Sequence, residues 1–259
     1  MFYVPSFDGG FVHWLCVVLA ASSPLLFVLE AKGWMSFGYS KFAKRERAFT
    51  LPSRVGMLVI YAPAVALVWL PLYGHPLTAW HVVVAAMVSA HFLKRCLETL
   101  FLHRYSGVMH LDSVAMICAL YSLQAWTLGQ LAASDVGPTG MPAPGLDVGT
   151  GLGFALWCVG VGLNFHHHVL LAHLRKPGER EYKLPRGGLF PYVACPHYLA
   201  ELIGWIGFSL TFRHIGALLL TFVMVMYLAG RSHATLAWYR ERLGDQVPRS
   251  WKRLVPGVY

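Results

Sequence analysis

The sequence predicts an all-α integral membrane protein of seven transmembrane helices, with its N-terminus outside and its C-terminus cytoplasmic. Three observations carry this expectation. The 259 residues are 56% hydrophobic and only 13% charged, where a soluble domain has roughly 25% charged residues. The apolar residues fall into windows long enough to span, since a helix needs roughly 20 of them to cross the hydrocarbon core. The 21 Lys and Arg, against 12 Asp and Glu, gather in alternate connections.

The windows run over residues 11–30, 54–73, 77–101, 107–133, 148–174, 196–212 and 215–239. Backbone groups in lipid must pair within a helix or a closed barrel. These runs lack the strict alternation of a barrel strand. The first window follows Asp8 with no Lys or Arg before it. It therefore lacks the basic start of a cleaved signal and reads as a span. Lys32, Lys41, Lys44, Arg45, Arg47 and Arg54 lie in or beside the first connection. Lys94, Arg95 and Arg104 end the third span, and Arg175, Lys176, Arg180, Lys183 and Arg186 fill the fifth connection. Arg231, Arg240, Arg242, Arg249, Lys252 and Arg253 close the chain, and only Arg213 falls on the other side. This is the positive-inside pattern. It explains the net charge of +9 without a nucleic-acid partner, and the alternation needs an odd number of spans.

Cys16, Cys96, Cys118, Cys158 and Cys195 form no CxxC pair. They read as buried small hydrophobes, not as a disulfide framework or a thiolate zinc site. Residues 134–147 are rich in Gly and Pro without a basic residue, which suits an external connector. Residues 175–195 mix charge, Gly-Gly, Pro and aromatics and exceed a plain connection, so a functional loop is expected there. No internal repeat points to a transporter of two related halves.

Ionisable groups inside spans are costly and mark function. His91, Lys94, Arg95 and Glu98 share one helical face, and Lys94 and Glu98 are spaced for an ion pair. Asn164, His168 and Arg175 share another. The run Phe165-His166-His167-His168 sends its three imidazoles in three directions, so no metal is expected on them. His197, Tyr198, Glu201 and Trp205 form a third stripe, opened by Pro196 at a helix start. Arg231, Thr235 and Tyr239 form a fourth. All lie toward the cytoplasmic ends of their spans. Together they describe a cytoplasmic pocket whose basic content suits a phosphate-bearing ligand. Gly149, Gly151 and Gly153 do not make a dinucleotide fingerprint, because the spacing is short by one and no strand precedes them.

The run from Asn164 to Glu201, with its LRKPGE, Tyr-x-x-Pro-x-Gly-Gly-Leu-Phe and Pro-x-Tyr-Leu-x-Glu pieces, resembles the C-terminal domain of membrane steroid 5α-reductases and very-long-chain trans-2-enoyl-CoA reductases. The tail through Arg231 and Tyr239 to Pro256 follows the same pattern, and weaker likeness begins at Leu51-Pro52-Ser53-Arg54. The resemblance implies a single transmembrane reductase domain over 1–259, with 148–259 as its cofactor-binding half. It implies NADPH-dependent reduction of a C=C bond conjugated to a carbonyl. It places the cofactor on Asn164, His168, Arg175, Lys183, His197, Glu201, Arg231 and Tyr239, with Arg104 beside them. His168, Lys183 and His197 stand where the steroid enzymes have Asp, Arg and Asn.

The steroid-type Gln-Glu pair reads Ile60-Tyr61 here, and its partner Tyr reads Phe92. The third span, His91–Ser106 (HFLKRCLETLFLHRYS), is instead similar to the enoyl-CoA reductase branch. That branch implies Lys94 and Tyr198 as the catalytic pair, with Tyr61 as a second donor and His91 and Glu98 beside them. The expected substrate is a lipid, a trans-2-enoyl thioester before a 3-oxo-Δ4 steroid, in the bacterial inner membrane or the endoplasmic reticulum. Two other classes compete. An isoprenylcysteine-type methyltransferase motif is partly met by Cys195-Pro196-His197-Tyr198 but lacks its Arg. A lipid receptor or transporter would need polarity along a through-path, and polarity here sits at one level.

Overall fold

The computed structural model describes residues 2, 10–33, 49–105, 107–134, 145–174 and 183–259. Seven long helices follow the seven apolar windows: α1 (Phe11–Ala31), α2 (Ser53–Leu67), α3 (Ala79–Leu97), α4 (Leu111–Ala133), α5 (Val148–His173), α6 (Pro196–Phe212) and α7 (Ile215–Leu243). Five are long and apolar enough to cross a membrane: α1, α2 with the turn that extends it to Leu72, α4, α5 and α7. The 17 residues of α6 are short for a span, and α3 carries Lys94 and Arg95 in its last turn.

The helix ends explain the boundaries. Thr78 caps α3 reciprocally with His81. Asp147 caps α5 by accepting from Thr150 N–H at 3.0 Å and also accepts from Arg213. α6 starts on Pro196, which has no N–H to satisfy, and stops where Arg213 turns left-handed at φ 50°. His214 then caps α7 by accepting from Gly216 N–H at 2.9 Å. α3 runs on into a π-helical turn, Glu98–Leu102.

Two strands, β1 (Thr50–Pro52) and β2 (Val108–His110), pair antiparallel with Leu51 opposite Met109. They bring the starts of α2 and α4 to the same side. α5 packs along α6, α1 along α7, and α2 against both α3 and α4. The main core is an apolar cluster that includes Trp80, Phe92, Trp205, Phe208 and Phe212, and a second, smaller one gathers Leu236, Tyr239, Val247 and Trp251. All five cysteines are free. Cys158 departs from the expected burial, since it points outward from α5 and is exposed.

Candidate active site

At one end of the bundle α2, α3, α5, α6 and α7 enclose a cavity of about 330 Å³, within the usual range for ligand pockets of roughly 300–1,000 Å³. Tyr61 of α2 and Arg95 of α3 stand on its wall, with His103 and Arg104 from the segment after the π turn. His168 comes from α5, His197, Tyr198 and Glu201 from α6, and Arg231, Thr235 and Tyr239 from α7. Lys183 completes the wall. Among the described lining residues, four cations (Arg95, Arg104, Lys183, Arg231) face one carboxylate, Glu201.

Behind the wall lies a continuous polar network. Glu98 is 2% exposed. One of its oxygens meets Lys94 Nζ at 2.8 Å and the other meets Arg95 Nη1 at 2.6 Å and His168 Nδ1 at 3.0 Å. Arg95 Nη2 donates to Tyr61 Oη at 3.1 Å, and its guanidinium lies 5.1 Å over the Tyr61 ring. Lys94 donates to Asn164 Oδ1. Asn164 Nδ2 in turn donates to the His197 carbonyl at 2.8 Å and to Glu201 at 3.4 Å. His91 Nε2 is 3.9 Å from Glu201. Two cations, Lys94 and Arg95, thus sit among two carboxylates, Glu98 and Glu201. Buried charges persist only when paired and hydrogen-bonded in this way. The network fixes the carbonyl at the residue before Tyr198, and so the start of α6.

Two further devices shape the wall. His167 donates from Nδ1 to Leu163 O at 2.7 Å and accepts from Leu189 N–H at 3.1 Å, which pins the Gly187-Gly188 turn onto α5. A Cβ at Gly188 would lie 2.7 Å from His167 Nε2. Residues 192–195 pair with the C-terminal segment, Ala194 N–H to Lys252 O at 2.9 Å and Lys252 N–H to Tyr192 O at 3.1 Å. That segment brings buried Trp251 against Tyr239, ring centroids 5.7 Å apart. Just beyond the π turn, burial and then the Arg95 charge hold the His103 imidazole low, at about 4. Burial pushes the nearby Tyr105 phenol up.

Of the residues singled out from sequence, Tyr61, Arg104, His168, Lys183, His197, Tyr198, Glu201, Arg231 and Tyr239 meet on the wall. Lys94, Glu98, His91 and Asn164 are brought together as the layer behind it. Lys94, which the resemblance implies in the catalytic pair, contacts Asn164 and Glu98, and Arg95 is the α3 cation on the wall. Arg175 lies outside the described residues. Trp205, read as part of the α6 stripe, is a core residue against Phe208 and His91. The sequence reading missed Glu30, which pairs with Arg231, and Tyr121 and Tyr227, which also line the cavity. It missed one arrangement too: ligand atoms of Glu98, His103 and His168 lie within 4.8 Å of one another. Both Glu98 oxygens already serve Lys94 and Arg95, and these two fixed cations oppose a metal ion there.

A family model described as 3-oxo-5-alpha-steroid 4-dehydrogenase matches residues 147–259, from the α5 cap to the end of the cavity-lining segments. The very-long-chain enoyl-CoA reductase of Dictyostelium discoideum is 36% identical over 180 residues, 67% of this chain and 57% of that protein. The 3-oxo-5-alpha-steroid 4-dehydrogenase 1 of Bos taurus is 32% identical over 230 residues, 84% of this chain and 86% of that one. The 3-oxo-5-alpha-steroid 4-dehydrogenase 2 of Homo sapiens is 30% identical over 234 residues, 86% and 88% of the two chains. With identity of this order along both the cavity half and the helices before it, the chain belongs to the 3-oxo-5-alpha-steroid 4-dehydrogenase family.

Proposed function

We propose that the protein is an NADPH-dependent membrane reductase that saturates a C=C bond conjugated to a carbonyl in a lipid, with a trans-2-enoyl thioester as substrate. The observation that carries this is the cavity, where four cations and the phenols of Tyr61 and Tyr198 line one space. Guanidinium and ammonium groups suit the phosphates of a dinucleotide. The activities by which the relatives are named, an enoyl-CoA reductase and steroid 4-dehydrogenases, support the reaction class. The same reading makes all seven helices spans, with the N-terminus outside and the cavity and C-terminus cytoplasmic. It treats 1–259 as one domain in which 148–259 holds the cofactor.

NADPH, when bound, supplies a hydride for the β-carbon. The residues of the chain do the rest. Arg104, Lys183 and Arg231 hold phosphates, with Arg175 expected to join them, and His168, His197, Glu201 and Tyr239 bind and orient the rest of the cofactor. Tyr198 donates to the substrate carbonyl oxygen, where negative charge develops as the enolate forms, and the enolate then takes a proton at its α-carbon to complete the reduction. Tyr61 is the second phenol at this oxygen. Arginine can only donate, so the Tyr61 oxygen accepts from Arg95 and its own proton is the one to give. Lys94 acts one step back. It holds Asn164, which holds the His197 carbonyl and thereby the position of Tyr198. An apolar groove of about 80 Å³ between α1, α4 and α7 shares Tyr121 and Tyr227 with the cavity. That continuity suits an acyl chain.

A second reading, a 3-oxo-Δ4-steroid reductase, is favoured by Tyr61. Its phenol, set by Arg95, stands where the resemblance puts the steroid-branch acid. NADPH oxidation by the purified protein in detergent, with a trans-2-enoyl-CoA and a 3-oxo-Δ4 steroid in parallel, separates the two. Turnover of the thioester is expected. Turnover of the steroid alone moves the substrate, and the absence of both turnover and NADPH binding removes the reductase reading.

A further inference from the structure

Glu30 lies at the last turn of α1, and its side chain is 1% exposed. Its Oε2 meets Arg231 Nη1 on α7 at 3.1 Å, and the Arg231 side chain is 4% exposed. Arg231 lines the cavity; Glu30 is not among the lining residues and reaches it through Arg231. The pair spans 201 residues of sequence. The two helices are clamped at that point. A Cβ on Gly230 would come 2.7 Å from the Phe27 carbonyl oxygen and 3.0 Å from Glu30 Cβ. The α1 backbone therefore sits directly against α7 beside the pair, and the Glu30 carboxylate has little room to swing.

A guanidinium is a rigid planar fork. An acceptor fixed at one of its edges sets the plane of the whole group. A carboxylate on an otherwise apolar helix, buried from solvent, is costly unless that one partner is served. α1 contributes no other ionisable side chain near the cavity, so Glu30 is its sole polar stake in the site among the described residues. We infer that Glu30 is a positioning residue for the cofactor: it orients the Arg231 guanidinium toward a phosphate of the dinucleotide and so makes α1 part of the binding site. The inference rests on the NADPH reading above and adds a residue to it.

The test is equilibrium binding of NADPH to purified protein, read by nicotinamide fluorescence, with the thermal midpoint recorded for each variant. Glu30→Ala should raise Kd by about tenfold or more, the scale of a displaced charge-assisted contact. Glu30→Gln keeps an acceptor in place and should stay within about threefold of wild type. In an Arg231→Ala background, Glu30→Ala should add less than about twofold, because a residue that acts only through its partner has no effect once the partner is gone. A purely structural tie would lower the midpoint and leave Kd where it was, and that result overturns the inference. If Glu30→Ala does not yield folded protein, Glu30→Asp, which draws the carboxylate back by one methylene, takes its place: a raised Kd supports the inference and an unchanged one overturns it. Absence of binding by the wild type would instead strike the cofactor reading itself, and is distinguishable because the variants play no part in it.

Discussion

The seam between α5 and α6 and the seam between α1 and α7 are held in different ways, although Gly230 also lets α1 close on α7. In the first, glycines bring backbones together. A Cβ on Gly160 would lie 2.3 Å from Gly204 N, and one on Gly207 would lie 2.5 Å from Trp157 N. Small residues at such crossings allow packing that lipid cannot compete with. In the second, polar side chains clasp both ends: His13 stacks on His214 with Nε2 atoms 3.3 Å apart, and Glu30 holds Arg231. The difference matches what each seam carries. α5 and α6 hold Asn164, His168, Tyr198 and Glu201 in one rigid block. α1 is joined at its Glu30 end through charge, so its register there depends on Arg231, which also lines the cavity.

The comparison breaks most sharply at Gly160. Gly160→Ala must push backbone against backbone, beyond the usual overpacking cost of about 1–3 kcal/mol, and Gly160→Leu should yield no folded protein. Gly162, two residues on, meets nothing within 4 Å. Gly162→Ala should therefore leave the thermal midpoint in detergent unchanged or slightly raised. Equal effects at the two positions would remove the account of the seam.

Next in size come the residues that the rigid block presents. Tyr198→Phe removes the proposed donor at the carbonyl and should lower kcat by about 10²–10⁴-fold, with NADPH affinity kept. Lys94→Met keeps the Tyr198 phenol but frees Asn164, which positions it, and strands Glu98 with one cation fewer. A loss of about 10-fold in kcat is expected for such misplacement. Combined with Asn164→Ala, its effect should be far from additive. If Lys94→Met matched Tyr198→Phe in kcat, Lys94 would touch the substrate after all.

Much of this was legible in the sequence for a simple reason: continuous apolar runs report long helices directly, and a polar residue inside one stands out. The three histidines after Phe165 diverge as their helical spacing requires: His166 is exposed, His167 pins the turn at Leu189, and His168 reaches Glu98. What stayed hidden depends on rotation and on distance. Lys94 and Arg95 are neighbours, and sequence alone does not say which of two adjacent residues, about 100° apart on a helix, will face a cavity. The π turn after Leu97 shifts the face again. Glu30 has no oppositely charged neighbour on its own helix, and its partner lies 201 residues away. The hint was a lone carboxylate ending an apolar span.

The smallest effect expected is at His103, at the edge of the network. In the folded protein its imidazole is held at about 4, first by burial and then by the charge on Arg95, with Lys94 adding to it and Glu98 opposing; the ordinary value is 6.5. The rings of His168 and Tyr105 also face it, at 5.0 and 5.9 Å. Because the folded value is depressed, the unfolded chain takes up the proton first as pH falls. Stability is therefore intact above about 6.5 and declines toward 4, by about 1 kcal/mol for this group at pH 6. His103→Gln should flatten that part of the curve when unfolding midpoints are measured between pH 7.5 and 5. Parallel curves for variant and wild type would mean that His103 titrates alike in both states, and that the polar layer behind the cavity ends at His168 and Glu98.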